Sequence, residues 1–370
     1  MKKILIAITD AGNAHKISAE ALQISFKENF PNQYKIKIVD FLKEADVEPF
    51  NTSETSYTLV SKNTFLDNLN IFVSEIINYS VPYNLFKSYA NNRLKNSFTE
   101  IINSYKPDLI ICNHPVPAMV LSEIKHEIGG FKYVITMLDL VTFFISMGDI
   151  NADLIFTPTE YVVPRLLSLG VQKQKIRSGL FPFHPKLKKI KKRESVFKNL
   201  GFNINKPVIL ITGGGLGLKT LKEAIIKLGE RDDLQLLVIT GRLTYLKEEL
   251  EQLFIEKKNI KILGFVDNMQ DYFSIADIVV GKPGATTIME SELFNKKAIF
   301  TKRVGHVEME HEKYVSLNPN FRYIGNNWKI LEKTVDELLR FEITDTIRKR
   351  SFDEIDKMVK EMNDLFQVSN

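Results

Sequence analysis

The chain of 370 residues predicts an α/β protein built from two doubly wound, Rossmann-like parallel sheets. Three observations lead there. Short apolar runs alternate with helix-period segments along both halves. The length exceeds what one hydrophobic core usually organises. Glycine-bearing loops follow several of the runs, as they do where ligands meet the carboxyl ends of parallel strands.

The apolar runs of the first half fall at residues 4–8, 34–39, 109–112, 133–138 and 154–157. Those of the second fall at 208–212, 234–240, 260–263, 278–281 and 298–301. They are nearly continuous rather than alternating, so each reads as a strand buried on both faces. The boundary between halves is predicted within 185–198. The expected domains are residues 1–190, on the acceptor and membrane side, and 191–345, on the donor side. A segment at 346–370 is expected to return as a helix toward the first domain. A cleft between two facing domains is the expected active site.

The opening Met1-Lys2-Lys3 and the run at 4–8 resemble a signal only superficially, because the apolar stretch is too short and reads as a first buried strand. No window approaches the roughly 20 apolar residues of a membrane span. A single cysteine, Cys112, excludes an intramolecular disulfide and a Cys-rich metal site, and points to a reducing cytoplasm. A cytoplasmic protein, soluble or peripheral, is the expectation.

The net charge of +5 is unevenly placed, since six of the eight residues at 186–193 are basic. Such a run reads as a solvated linker or as a contact for an anionic membrane surface or a pyrophosphate. No recognition motif accompanies it, so nucleic acid is not an expected partner. Residues 57–98 form a long aromatic and Asn-rich insertion. Phe65, Leu66, Leu69, Phe72, Val73, Ile76 and Ile77 stand at helical spacing, which fits core packing or an apolar groove for a lipid acceptor. A terminal helical stretch is read over 328–366.

The most informative segment is Gly281-Lys282-Pro283-Gly284-Ala285-Thr286-Thr287-Ile288-Met289-Glu290. It reads as a strand, a Pro-Gly turn and a short helix with a carboxylate in its second turn. Glycine admits close backbone approach, and a helix N-terminus offers unpaired N–H donors to an anion. Glu290 can accept hydrogen bonds from sugar hydroxyls, so the unit suits a nucleotide sugar.

This segment resembles the donor-binding motif of the glycosyltransferases that include the peptidoglycan N-acetylglucosaminyltransferase, the monogalactosyldiacylglycerol synthases and the processive diacylglycerol glucosyltransferases. The resemblance implies a glycosyltransferase-B fold with a C-terminal helix packing back. It implies that Pro283, Gly284, Ala285, Thr286 and Thr287 surround the nucleotide and pyrophosphate, and that Glu290 holds the ribose.

The first loop, Thr9-Asp10-Ala11-Gly12-Asn13-Ala14-His15, matches the family's glycine-rich loop, with Asn13 and Ala14 where glycine is common. His15 is the candidate base that takes the acceptor hydroxyl's proton. The family has a Thr-Asp sequence where Met137-Leu138-Asp139-Leu140 stands, so Asp139 is a second candidate, to orient the base or to act as one. A strand-end Asp that caps a turn is the plainer reading. His114-Pro115 matches a further family feature without an assigned role.

In the second half, Gly213-Gly214-Gly215-Leu216 opens a helix and permits close approach to phosphate, without the Lys-Ser/Thr of a P-loop. Arg242 after the next strand, and Phe265 and Val266 after the third, are further matches, with the Gly264-Phe265 pair placed by the family near the uracil. His306 and Glu308 occupy the donor-sugar position where the lipid synthases carry Gly-Gln-Glu. His184 replaces an arginine that helps neutralise the pyrophosphate in the family. Arg242 and Lys219 are candidates to compensate.

The implied activity is inverting transfer of a hexose or N-acetylhexosamine from a UDP-sugar to a lipid hydroxyl, with diacylglycerol the leading acceptor, at the cytoplasmic membrane face. No cofactor and no metal are expected, because no Asp-x-Asp pair is present and helix termini with a few cations can stabilise a departing diphosphate. The alternatives are a related transferase with a polyprenyl or soluble acceptor, and a degenerate nucleotide-sugar sensor. A nicotinamide or flavin oxidoreductase is disfavoured by the absence of Gly-x-Gly-x-x-Gly in the first loop.

Overall fold

The computed structural model describes residues 1–9, 13–48, 50–52, 80–213, 217–302, 310–344 and 349–367. The apolar stripe at 65–77, the loop residues Gly214, Gly215 and Leu216, and the donor-sugar candidates His306 and Glu308 lie outside them. The chain divides into two units, one from Met1–Pro185 with Asp353–Asn370, the other from Lys186–Val304 with Glu308–Phe352.

The first unit runs β1 (Lys2–Ile8), α1 (Asn13–Asn29), β2 (Tyr34–Asp40), α2 (Phe41–Ala45), α3 (Ser80–Tyr105), β3 (Leu109–Cys112), α4 (Pro115–Glu127), β4 (Lys132–Thr136), β5 (Leu154–Thr157), α5 (Val163–Ser168) and β6 (Ile176–Ser178). Its six strands are all parallel, in the order β2-β1-β3-β4-β5-β6. Alternate residues of each strand feed opposite faces, which is why the runs are apolar throughout. Leu5 and Ala7 join Phe41, Phe98, Leu121 and Ile124 on one face, while Ile4, Ile6 and Ile111 join Ala19, Leu22 and Phe26 of α1 on the other.

The second unit runs α6 (Arg193–Leu200), β7 (Val208–Thr212), α7 (Lys222–Gly229), β8 (Gln235–Ile239), α8 (Thr244–Leu253), β9 (Ile260–Leu263), α9 (Met269–Ile275), β10 (Ile278–Gly281), α10 (Ala285–Leu293), β11 (Lys297–Thr301), α11 (His311–Leu317), β12 (Phe321–Gly325) and α12 (Leu331–Arg340). Its parallel strands lie in the order β9-β8-β7-β10-β11-β12, the 3-2-1-4-5-6 order of dinucleotide-binding folds. All ten strands read from the sequence are present. β6 and β12 were not read, because Ile-Arg-Ser and Phe-Arg-Tyr-Ile-Gly carry too little continuous apolar character. Both are edge strands, where one side needs no burial.

The terminal stretch at 328–366 is not one helix. It breaks after Arg340, where Phe341 turns extended, and Thr344 donates through its backbone N–H to Asn320 Oδ1 at 3.0 Å. A last helix, α13 (Glu354–Asp364), then packs in the first unit and buries Ile355, Met358, Val359 and Met362 against the α1 face. Ser25 and Asn29 of α1 donate to Asp356 at 2.7 and 2.9 Å, and Glu354 accepts from the Phe181 backbone N–H at 2.9 Å. The basic run begins the second unit: Lys191 donates to Asp271 through its backbone N–H at 2.9 Å and places Nζ 3.5 Å from the same carboxylate, and the Arg193 guanidinium lies 4.8 Å from the Phe197 ring centre, so part of that charge is engaged with α9 and α6.

Met358 is completely buried between α13 and the sheet. Met358→Ala is expected to destabilise the protein by about 2–5 kcal/mol. Urea unfolding followed by circular dichroism, with the slope unchanged and the midpoint lowered, is the measurement.

Candidate active site

In each sheet two neighbouring strands send their connections in opposite directions, and a crevice opens at the carboxyl ends between them. In the second unit these strands are β7 and β10. Gly281 closes β10 with its Cα so near β7 that an added Cβ would stand 2.8 Å from the Thr212 carbonyl oxygen, a backbone clash. Only glycine lets the two strand ends meet there. The turn 282–284 follows, and α10 starts at Ala285 with Gly284 as its N-cap and no side-chain capping bond. The first N–H groups of α10 are therefore left without an N-cap side chain, beside the predicted residues Pro283, Gly284, Ala285, Thr286 and Thr287.

Two further contacts hold this turn, and a third lies within α10. Thr301 donates through Oγ1 to the Gly281 carbonyl at 3.3 Å, and Ser291 donates to the Thr287 carbonyl at 2.7 Å. His311, buried at the start of α11, places Nδ1 2.7 Å from the Pro283 carbonyl. A carbonyl only accepts, so this ring carries its proton at Nδ1. Glu290 is half-buried on α10, and burial pushes its carboxyl up to about 7, with Lys186 partly offsetting the shift. Glu292, two residues on, is in a different situation. It takes Arg350 at 3.0 Å, Tyr314 Oη at 3.0 Å and Asn318 Nδ2 at 3.3 Å, so a buried ion pair with further donors pins α10 to α11 and to the segment before α13.

Gly213 directly follows β7. Arg242 and Phe265 follow β8 and β9, and the fold brings them together, with the guanidinium 5.8 Å from the ring centre. Phe265 is 66% exposed, a flat aromatic face standing at the strand ends with a cation beside it. Val266 next to it is half-buried, and a positive φ at Gly241 turns the chain between β8 and Arg242.

In the first unit the diverging strands are β1 and β3. His15 stands in the first turn of α1 after β1, and His114 follows β3, where its Nδ1 accepts from Val116 N–H at 3.3 Å and so caps α4. The two rings meet edge-on at 5.0 Å. Burial lowers His15 to about 4, opposed by the hydrogen-bonding groups of Asn113, and lowers His114 well below its ordinary value, with the His15 charge as a second cause. Both imidazoles are neutral at physiological pH. Asp139 lies three residues beyond β4, half-buried, and burial raises its carboxyl to about 7. The following Leu140 carbonyl accepts from Thr159 Oγ1, which anchors that turn. His184 is half-buried near the end of this unit, after the packed pair Phe181 and Phe183.

Asn113, Glu292, His311 and Arg350 are contributors that the sequence reading did not single out. Asn113 precedes the marked His114-Pro115, and Glu292 follows Glu290 by two positions, so their neighbourhoods were visible although their contacts were not. Among the described residues, no group of three or more His, Cys, Asp or Glu side chains is gathered as a metal site, and no helix is long and apolar enough to cross a membrane.

Residues 15–179 match the monogalactosyldiacylglycerol (MGDG) synthase family, and residues 208–341 match the glycosyltransferase family 28 C-terminal domain, in that order along one chain. The chain resembles these glycosyltransferases along most of its length. It is 25% identical over its full length to a probable chloroplastic monogalactosyldiacylglycerol synthase of Nicotiana tabacum, covering 72% of that protein. It is 29% identical over 71% of its length to a processive diacylglycerol beta-glucosyltransferase of Bacillus subtilis, covering 67% of it. Solved structures of like fold include the S. aureus MnaA–UDP complex, with TM-score 0.65 and 15% identity, covering 99% of this chain and 97% of that one. MurG of Acinetobacter baumannii follows with TM-score 0.62 and 13% identity, covering 99% of each chain. The two doubly wound units are those of a glycosyltransferase-B enzyme.

Within this glycosyltransferase, the buried Arg350–Glu292 pair generates a clear expectation. Arg350→Ala leaves a carboxylate buried without its cation and is expected to cost about 3–5 kcal/mol. The double variant Arg350→Met with Glu292→Gln recovers most of that loss, read as the guanidinium chloride unfolding midpoint.

Proposed function

We propose that this glycosyltransferase moves a hexose or N-acetylhexosamine from a UDP-sugar to the hydroxyl of a lipid, diacylglycerol, with inversion at the anomeric carbon. The observation that carries the reading is the β10–α10 unit, a helix N-terminus left uncapped by its Gly284 side and followed by the Glu290 carboxyl. Diphosphate oxygens meet the helix N–H groups, the ribose hydroxyls donate to Glu290, and the uracil lies by Phe265 and Val266 with Arg242 adjacent. For the pyrophosphate the proposal also takes Gly213 and His184, and for the hexose His306 and Glu308. The residues through 190 form the acceptor side and those of 191–345 the donor side.

The first unit supplies the base. His15 is neutral at physiological pH and stands at the strand divergence, so its free nitrogen can take the acceptor's proton as the sugar–phosphate bond breaks. Asp139 has a carboxyl near 7, better matched to the operating pH, and this favours a second reading in which Asp139 is the base. No metal is part of the proposed reaction; the donors named above stabilise the leaving diphosphate. The proposal includes action at an anionic membrane surface on the cytoplasmic face, and the names of the MGDG synthase and diacylglycerol glucosyltransferase relatives support the acceptor class.

The test incubates the protein with diacylglycerol in anionic vesicles and radiolabelled UDP-sugars, then counts label in the organic phase. Label from one sugar is the expected result, and UDP release without organic label points to a soluble acceptor. His15→Ala is expected to lower kcat by about 100-fold or more. The acid limb of the pH–rate profile falls near 4 with His15 as the base and near 7 with Asp139.

Glu290 yields a separate expectation. Its carboxyl must be ionised to accept two ribose hydroxyls well, and in the free protein it is protonated below about 7, so affinity rises as pH increases through that value. Uridine is the probe, having no phosphate to titrate. Calorimetry is expected to show this rise in the wild type and its disappearance in Glu290→Ala, which binds about 10- to 100-fold more weakly above it. Unchanged uridine and UDP affinity in Glu290→Ala refutes the ribose assignment.

A further inference from the structure

Asn113 is 1% exposed and bonded directly to the residue proposed as the base, yet no step described so far uses it. Its Nδ2 donates at 2.8 Å to the His15 carbonyl and at 2.8 Å to Ser18 Oγ, and Ser18 Oγ donates at 2.9 Å to that same carbonyl. An amide whose nitrogen meets two acceptors has its orientation decided, so the other end is oxygen. That Oδ1 is buried and has no hydrogen-bond partner among the described residues, and the same is true of His15 Nδ1. Thr9 Oγ1 and Thr136 Oγ1, at the ends of the flanking strands β1 and β4, are also buried and unmatched.

These four atoms belong to residues at the carboxyl ends of neighbouring strands or in the segments that follow them, and a buried polar group without a partner calls for an explanation such as a bound group or a proton. Asn113 Oδ1 can only accept, whereas an imidazole Nδ1 donates in one tautomer and accepts in the other. Asn113 opposes the lowering of the His15 proton affinity by burial. His114 is the titratable group facing the His15 ring from a neighbouring element among the described residues. It caps α4 through its own Nδ1 and so is already committed.

We propose that Asn113 is a positioning residue for His15, its Oδ1 selecting the ring protonated at Nδ1 and leaving Nε2 as the free base. The inference rests on the reading of His15 as the base. The acceptor oxygen bonds to the anomeric carbon as the bond to the UDP oxygen breaks, and the hydroxyl proton passes to the Nε2 lone pair. The resulting imidazolium keeps its Nδ1–H against the Asn113 oxygen, whose dipole favours the new charge. An amide does this without the standing negative charge of a carboxylate, and so leaves the resting ring neutral.

The full chain is labelled with 15N-histidine, and its long-range nitrogen–proton correlations are recorded without substrate, His15 being assigned by the signal absent from His15→Gln. The wild-type ring is expected in the Nδ1–H form. Asn113→Ala is expected to move it toward the Nε2–H form and to lower kcat by about 10-fold or more, with the UDP dissociation constant unchanged. Asn113→Asp returns an acceptor oxygen, restores the Nδ1–H form and raises the pH at which the ring protonates. A wild-type ring protonated at Nε2, or an Asn113→Ala ring that stays unchanged, overturns the proposal. The tautomer is read without turnover, so an acid limb near 7, which would transfer the base role to Asp139, is a distinct result.

Discussion

Both units depend on one constraint, that parallel strands are joined by right-handed crossovers which must cover both faces of the sheet. Helices go to one face from β1 toward β2 and to the other from β3 onward, and the same split occurs between β7 and β10. Strand-end loops are thereby parted at two places, and the polar residues of interest gather there. His15, Asn113 and His114 stand at the first, and Gly213 with the 281–290 segment at the second. The burial of the strands on both faces fixes where the strand ends stand, and with them the described residues that follow.

Carboxyl groups illustrate how the scaffold separates holding from reacting. Glu292 has a cation, a phenol and an amide around it, and serves to fasten α10. Glu290 lies two residues earlier on the same helix, rotated to the other side, and burial shifts its carboxyl to about 7 with only a distant lysine opposing. Asp139 is shifted in the same way by the same cause. A buried carboxyl without compensating donors is destabilising, and such a group is retained where a ligand can supply the donors. The two histidines complement them, both kept neutral by burial, with the His15 charge a second cause for His114 alone.

Much of this was legible in the residues. Continuous apolar runs announced ten strands, since a strand buried on both faces has no polar alternation to confuse it. The Pro-Gly-Ala-Thr-Thr segment announced its loop and helix because glycine and an N-terminal threonine pair have local meaning. The edge strands β6 and β12 were missed because half-solvated strands need little apolar sequence. The terminal helical reading merged α12 with α13, because amphipathic periodicity on either side of 341–353 looks continuous until Thr344 is seen bonded to Asn320.

By itself the sequence determined the class of fold, the order of its elements and the position of the candidate donor loop, all of which follow from local periodicity and from residues with special backbone behaviour. Only the tertiary structure decided the partners. Arg350 meets Glu292 across 58 residues of chain, Asn113 meets His15 across 98, and Asp356 meets Ser25 across 331. Hydrogen bonds and ion pairs depend on atoms being within about 3 Å, a distance that no spacing along the chain encodes. The same holds for the shifted carboxyls and imidazoles, whose environments exist only once the sheets have closed around them.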